Sequence, residues 1–287
     1  MRIGFDKAFI ILIKVLTLFS LLLLSFIIIF VFKEGYIFFK EVPILKFITG
    51  TTWNPLSDPR NLSIFNIILA TLYVSLVAII IALPIGVGSA LLLSGYVKER
   101  PRLIIRGLID IIAGIPSVIF GFIGLMVLVK FFEKFFDFPS GESVLAGGIL
   151  LAVMVLPYII STCDETMDKL YRKHSPAAQA MGISKIYILR TIVLPQSLRG
   201  IVAATVLAFG RAMGETMAVM MVIGNAPIMP RLLGKCQTIP SLIALEMGMA
   251  EVGSLHYHAL FAAGFVLIVI LLMINVALYY VKRSLNR

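Results

Sequence analysis

Charge is scarce in this chain of 287 residues: 14% are Asp, Glu, Lys or Arg, while 60% are hydrophobic and the mean hydropathy is +1.04. A soluble domain carries about 25% charged residues, so this chain has more apolar surface than one globular core could hide. A water-soluble enzyme is thereby excluded, and so is a disordered chain, which needs low hydrophobicity. Two cysteines, Cys163 and Cys236, are too few for a disulfide scaffold. The topology derived below puts them on opposite sides of a bilayer, where they cannot pair. No G-x-x-x-x-G-K-[ST] loop is present, so the chain carries no P-loop nucleotide site of its own. The three histidines are His174, His256 and His258. A His-x-His pair without further ligands is a poor metal site, and these read as interfacial polar residues. No nucleophile and base pair is evident on the apolar runs. A polytopic membrane protein is what is left.

A bilayer core takes about 20 apolar residues of helix. Six stretches satisfy that ruler, at about 9–32, 63–94, 107–131, 143–162, 201–225 and 259–281. The first is longer than the roughly 7–15-residue core of a signal peptide and no small-x-small cleavage site follows it, so it reads as an uncleaved first span. An even number of spans puts both termini on one side. Most of the 25 Lys and Arg fall near the termini, around 98–106 and in the 163–200 connection, which basic-residue bias assigns to the cytoplasm. The formal charge of +10 then reflects topology rather than nucleic-acid binding. The expected fold is an all-α integral membrane protein. Residues 1–62 form a first transmembrane helix and outer loop, 63–281 a core of five further transmembrane helices, and 282–287 a cytoplasmic tail. Of the two long outer segments, 33–62 holds Gly50-Thr51-Thr52-Trp53-Asn54-Pro55. Asn-Pro marks a turn there, and Trp53 reads as an aromatic-belt anchor. The other, 226–258, contains three prolines.

The longest inner connection, 163–200, is the most informative. Ser175-Pro176 has the form of a helix N-cap followed by proline at the first helical position, and Gly182 supplies a stop. Between them Ala177-Ala178-Gln179-Ala180-Met181 predicts one short helix, and a second runs from near Ser184 to Pro195. Such a helix–glycine–helix unit could seat in a groove of another protein or rest on lipid; spacing alone does not choose.

Ala177-Ala178, then Gly182 and, after nine intervening residues, Ile192-Val193-Leu194-Pro195 resemble the EAA loop of ATP-binding-cassette importer permeases, E-A-A-x3-G-x9-I-x-L-P. Pro176 stands where that family has glutamate, although proline still suits a first helical turn. Gly50-Thr51-Thr52-Trp53-Asn54-Pro55, Ala113-Gly114-Ile115-Pro116-Ser117 and Gly210-Arg211-Ala212-Met213-Gly214-Glu215-Thr216-Met217-Ala218-Val219 are similar to the phosphate-specific (Pst) importer permeases, closest to the PstC-type subunit. The resemblance implies a type I importer (MetI-like) permease fold in the plasma (inner) membrane of a prokaryote. Its partners would be a second, PstA-like permease, two copies of a PstB-like ATPase, and a periplasmic or lipid-anchored PstS-like phosphate-binding protein. Lipid surrounds it and nucleic acid has no part. The chain itself would need no cofactor, ATP and Mg being used by the ATPase, and it would be no enzyme. Ser175, Pro176, Ala177, Ala178, Gly182, Ile192, Leu194 and Pro195 are the implied coupling residues.

Arg211 and Glu215 stand out independently of any family. They fall near the middle of the fifth apolar run, where a charge costs at least about 2.5–3.5 kcal/mol and calls for a partner or water. On a continuous helix their i, i+4 spacing would put both on one face, and Gly210 and Gly214 would let another helix approach beside them. One reading is a buried ion pair that fixes packing. The other is a substrate pathway, in which Arg211 offers a planar fork to phosphate oxygens and Glu215 holds Arg211 or accepts the proton of a monoprotonated phosphate. Midplane placement favours the pathway. Asp110, a third pathway candidate, ranks below them because an i, i+4 pair with Arg106 near the inner surface would explain it. Pro84, Pro116 and Pro157 interrupt three spans and could kink them. Competing functions are import of another anion such as sulfate or molybdate, and a proton-coupled carrier in which Glu215 titrates.

Overall fold

A computed structural model describes residues 2–57, 60–136 and 140–284; of the expected tail, 285–287 lie outside the described residues. The first apolar run forms α1, Arg2–Glu41. Its side chains from Phe9 to Phe30 are exposed on every side, as suits a helix bathed in hydrocarbon. Pro43 starts the short α2, Ile44–Thr49, and a two-stranded antiparallel hairpin follows, β1 (Trp53–Asn54) and β2 (Asn61–Leu62), with Trp53 opposite Leu62. The second run is α3, Phe65–Gly95.

The third run departs from expectation. It divides into α4, Glu99–Ala113, and a second helix built of α5, Ser117–Ile123, a π-helical turn at Gly124–Val129 and α6, Lys130–Phe136. The two parts are bent by 87°. Gly114-Ile115-Pro116 makes the corner, because the residue before a proline is pushed out of the helical region. In α4 the side chains of Leu103, Ile104, Leu108 and Ile111 are exposed while Arg102 is buried, so its charged face packs on α7 and its apolar face is left uncovered. So 107–131 is not one straight span.

The fourth run grows into α7, Val144–Ala180, 37 residues long and passing through Ser175 and Pro176 without a break. The expected N-cap at Ser175 is therefore not formed, and the expected short helix is the end of α7 itself. Pro176 removes only the amide that would have bonded the Arg172 carbonyl, a loss one turn near a helix end can carry. Gly182, at φ +73°, ends the helix as anticipated, and Ser184 caps the next through its side chain, which accepts from the Tyr187 amide. That helix is α8, Lys185–Tyr187, continued by a π turn at Ile188–Val193 and α9, Leu194–Gln196. It is bent by 62° from α10, Leu198–Gly214. The fifth run thus stops at Gly214. Glu215 is extended (φ −71°, ψ 127°), and only the single turn α11, Met217–Met220, follows. The chain closes with α12, Ile239–Glu246, and α13, Leu255–Ser284.

Among the described residues, four helices are long and apolar enough to cross a membrane, or up to six if each bent pair is one span. The centre is the α3–α7 pair, brought close by small residues. A Cβ on Gly148 would meet Val77 at 2.4 Å, and one on Gly86 would meet Ile159 at 2.5 Å. The start of α7 is covered by the segment after α11. Carbonyls of Val222, Gly234 and Leu232 accept from the amides of Ser143, Val144 and Leu145, which a helix N-terminus otherwise leaves unpaired. Cys236 in that segment and Cys163 in α7 are both buried and free. A second core joins the end of α1, α2, the hairpin, α12 and α13. Trp53 belongs to it. At 7% exposure it is no belt anchor, and its Nε1 donates to the Glu246 carboxylate at 3.0 Å. His256 is not a loose interfacial group either, since its Nε2 lies 2.8 Å from the same carboxylate.

Candidate functional site

Arg211 occupies the last turn of α10, where a cation also complements the helix dipole. Its side chain is exposed, and among the described residues no carboxylate comes within ion-pair distance. Its guanidinium carbon lies 4.3 Å from the centroid of the Tyr158 ring, a cation–π contact. Tyr158 projects from α7, and its hydroxyl donates to the Ala113 carbonyl at 3.2 Å. One aromatic ring therefore joins the Ala113-to-Ser117 corner to the Gly210-to-Glu215 motif, segments roughly a hundred residues apart in sequence.

Glu215 does not face Arg211 from the next helical turn. The helix has ended, the two glycines favour that break, and the Glu215 amide makes a long 3.4 Å bond to the Ala212 carbonyl. No ion pair between the two side chains is found among the described residues. Asp110 is not brought to Arg211 either. It lines a separate cavity of about 270 Å³ with Arg106, Ser161, Asp164 and Glu165. The expected Arg106–Asp110 pair is also not formed, because Arg106 turns to Asp164, Nε to Oδ2 at 2.6 Å.

Asp164 belongs to a network that residue spacing alone did not bring out. Arg102 donates to Asp164 at 2.6 Å and to Asp168, and Arg172 bonds both Asp168 at 3.1 Å and Glu99 at 3.3 Å. The network clamps α4 across α7. A signal existed: Arg102 and Arg106 are spaced i, i+4, and so are Asp164 and Asp168, two complementary stripes on separate helices.

At the far end of α7 the implied coupling residues form one projecting unit. Ala178 is buried, its carbonyl accepting from the amides of Met181 and Ile183, while Ala177 and Pro176 are exposed and Ser175 is half-buried. Gly182 turns the chain, and Met181, Ile186 and Tyr187 stand out as exposed apolar side chains around it. Ile192 and Leu194 are half-buried and Pro195 is exposed. Leu189 packs into a gap that only glycine leaves open, since a Cβ on Gly95 would meet it at 2.5 Å. The unit is thus held to α3 on one side and presents an apolar surface on the other. Among the described residues no group of three or more His, Cys, Asp or Glu is arranged to hold a metal ion.

A family model described as "Binding-protein-dependent transport system inner membrane component" matches residues 82–287. The chain belongs to that family. This inner-membrane component is 31% identical over 239 residues to the "Probable ABC transporter permease protein YqgH" of Bacillus subtilis (strain 168), covering 83% of this chain and 77% of that one. It is 34% identical over 259 residues to the "Phosphate transport system permease protein PstC" of Mesorhizobium japonicum, covering 83% and 78%. It is 32% identical over 283 residues to the "Probable phosphate transport system permease protein PstC" of Methanocaldococcus jannaschii, covering 89% of each. A solved structure, "Inward facing conformations of the MetNI methionine ABC transporter: CY5 native crystal form", superposes with a TM-score of 0.61 at 18% identity, over 78% of this chain and 96% of that one. The fold is thus that of a MetI-like permease, a transporter's membrane component rather than an enzyme, and ATP hydrolysis belongs to another chain.

Proposed function

We propose that this permease is the PstC-type subunit of an ATP-driven importer of inorganic phosphate. The observation that carries the reading is the likeness to a phosphate permease across 89% of both chains at 32% identity. The uncompensated Arg211 supports it, because a cation at membrane depth needs water or an anion to solvate it. In this reading the permease pairs with a PstA-like subunit in a prokaryotic plasma membrane, both termini cytoplasmic. A PstS-like protein delivers phosphate to one face, and two PstB-like ATPases use ATP and Mg at the other. The Ala177-to-Tyr187 unit seats in the ATPase. Nucleotide-driven closure pushes it, and α7 carries the movement to the pathway. Arg211 binds two phosphate oxygens through its fork, and the Glu215 carboxylate, freed from the helix, accepts a hydrogen bond from the P–O–H group of a monoprotonated phosphate, a donor that sulfate lacks.

Proteoliposomes holding both permeases and the ATPase, supplied with loaded binding protein, should take up radiolabelled phosphate on addition of ATP and take up sulfate poorly. Uptake that collapses with an uncoupler at constant ATP would instead identify a proton-coupled carrier. A cysteine at the exposed Ala177 should cross-link to the ATPase; Ala178 is too buried for this test.

A further inference from the structure

We infer that Tyr158 is the residue that positions Arg211 and transmits movement of the coupling unit to it. The inference rests on the reading of Arg211 as a substrate contact. Tyr158 makes two contacts to two other helices: its ring lies under the guanidinium at 4.3 Å, and its hydroxyl donates to Ala113 at 3.2 Å. The Ala113 carbonyl sits in the last turn of α4, where no following amide completes the helix, so the hydroxyl supplies a partner there. Among the described residues the ring is the one partner of the Arg211 guanidinium, which makes no side-chain hydrogen bond or ion pair there. From Tyr158, α7 continues unbroken to Ala180, a rise of about 33 Å at 1.5 Å per residue. A push at the exposed end of α7 therefore displaces the surface on which Arg211 rests, while the Ala113 bond ties that surface to the α4 corner. The guanidinium can stack face-on and still direct its N–H groups sideways to an oxyanion, because stacking uses the planar face and hydrogen bonding uses the edge.

The test compares Tyr158→Leu, Tyr158→Phe and Arg211→Gln in the full reconstituted transporter, scoring phosphate moved per ATP hydrolysed and correcting for assembled complex. Tyr158→Leu removes both the cation–π contact to an exposed cation and the hydroxyl bond to Ala113 and should lower that ratio about tenfold, with binding-protein-stimulated ATPase activity intact. Tyr158→Phe keeps the ring but gives up the bond to Ala113, and should lower the ratio only about twofold. If Leu weakens assembly, Tyr158→Met takes its place with the same expectation. Unchanged coupling in the Leu or Met variant, or parallel loss of transport and ATPase activity in Phe and Leu alike, overturns the inference. Arg211→Gln separates it from the underlying reading. If that variant transports normally, Arg211 is no substrate contact and the positioning role falls with it. If it is inactive while Tyr158→Leu couples normally, only the role of Tyr158 is lost.

Discussion

Arg102 and Arg211 are the same side chain in the same apolar chain, and the fold treats them oppositely. Arg102 is 6% exposed and bridges Asp164 and Asp168 of α7. Arg211 is exposed, rests on an aromatic face and, among the described residues, has no carboxylate within ion-pair distance. A buried charge must be compensated, and removing one partner of such a group is far more damaging than the pair itself is stabilising. Arg102 is a clamp whose charge is compensated inside the chain, although its buried Nε–H finds no hydrogen-bond partner among the described residues. Arg211 is a cation whose needs must be met from outside it, by water, a neighbouring subunit or a passing anion. Charge state and residue type do not separate the two roles; partners do.

The largest effect should come from breaking the clamp. Arg102→Ala leaves Asp164 and Asp168 short of a counter-charge and should cost about 3–5 kcal/mol of stability, seen as a lowered melting temperature of the solubilised complex and reduced abundance, with transport per surviving complex retained. Arg211→Gln should do the reverse. Uptake should fall about 100-fold, equivalent to about 3 kcal/mol for a charged hydrogen-bonding group, with the melting temperature nearly unchanged. A third charge, Glu246, is satisfied internally by Trp53 and His256 and should behave like the clamp. Trp53→Phe should lose about 1.5 kcal/mol of stability without altering phosphate per ATP. Smallest is Gly182→Ala, which forces a side chain into φ +73° at the end of α7. It should cost about 1 kcal/mol, read as faster hydrogen exchange across 177–187.

Much of this arrangement is legible in residue order. The apolar runs locate the long helices, Gly182 and Ser184 mark a real stop and start, and Arg211 declares itself by being charged where charge is costly. Two features are hidden for physical reasons. Hydropathy reads straight through 107–131 because the exposed face of α4 is as apolar as a span; only the i, i+4, i+7 spacing of Ile104, Leu108 and Ile111, with Arg102 and Arg106 on the opposite face, separates the two. Local spacing also misassigns partners. Arg106–Asp110 and Arg211–Glu215 are both i, i+4, yet Arg106 finds the better-placed Asp164 on another helix, and the Gly214 break takes Glu215 off the face it would have shared. Tyr158 has no sequence signal, since nothing in the chain near it announces that α4 and α10 converge there.

Charge rescue at Arg211 tests the central claim most directly. Arg211→Cys can be labelled selectively, because Cys163 and Cys236 are buried, and burial pushes the Cys236 thiol up to about 12, leaving it protonated at neutral pH. In proteoliposomes the unmodified variant should be nearly inactive. A thiol reagent that adds an ethylammonium group should restore phosphate uptake, and a neutral reagent of the same size should not. Equal uptake after cationic and neutral modification, or normal uptake before either, would contradict the assignment of Arg211 as the cation that phosphate meets on its way through.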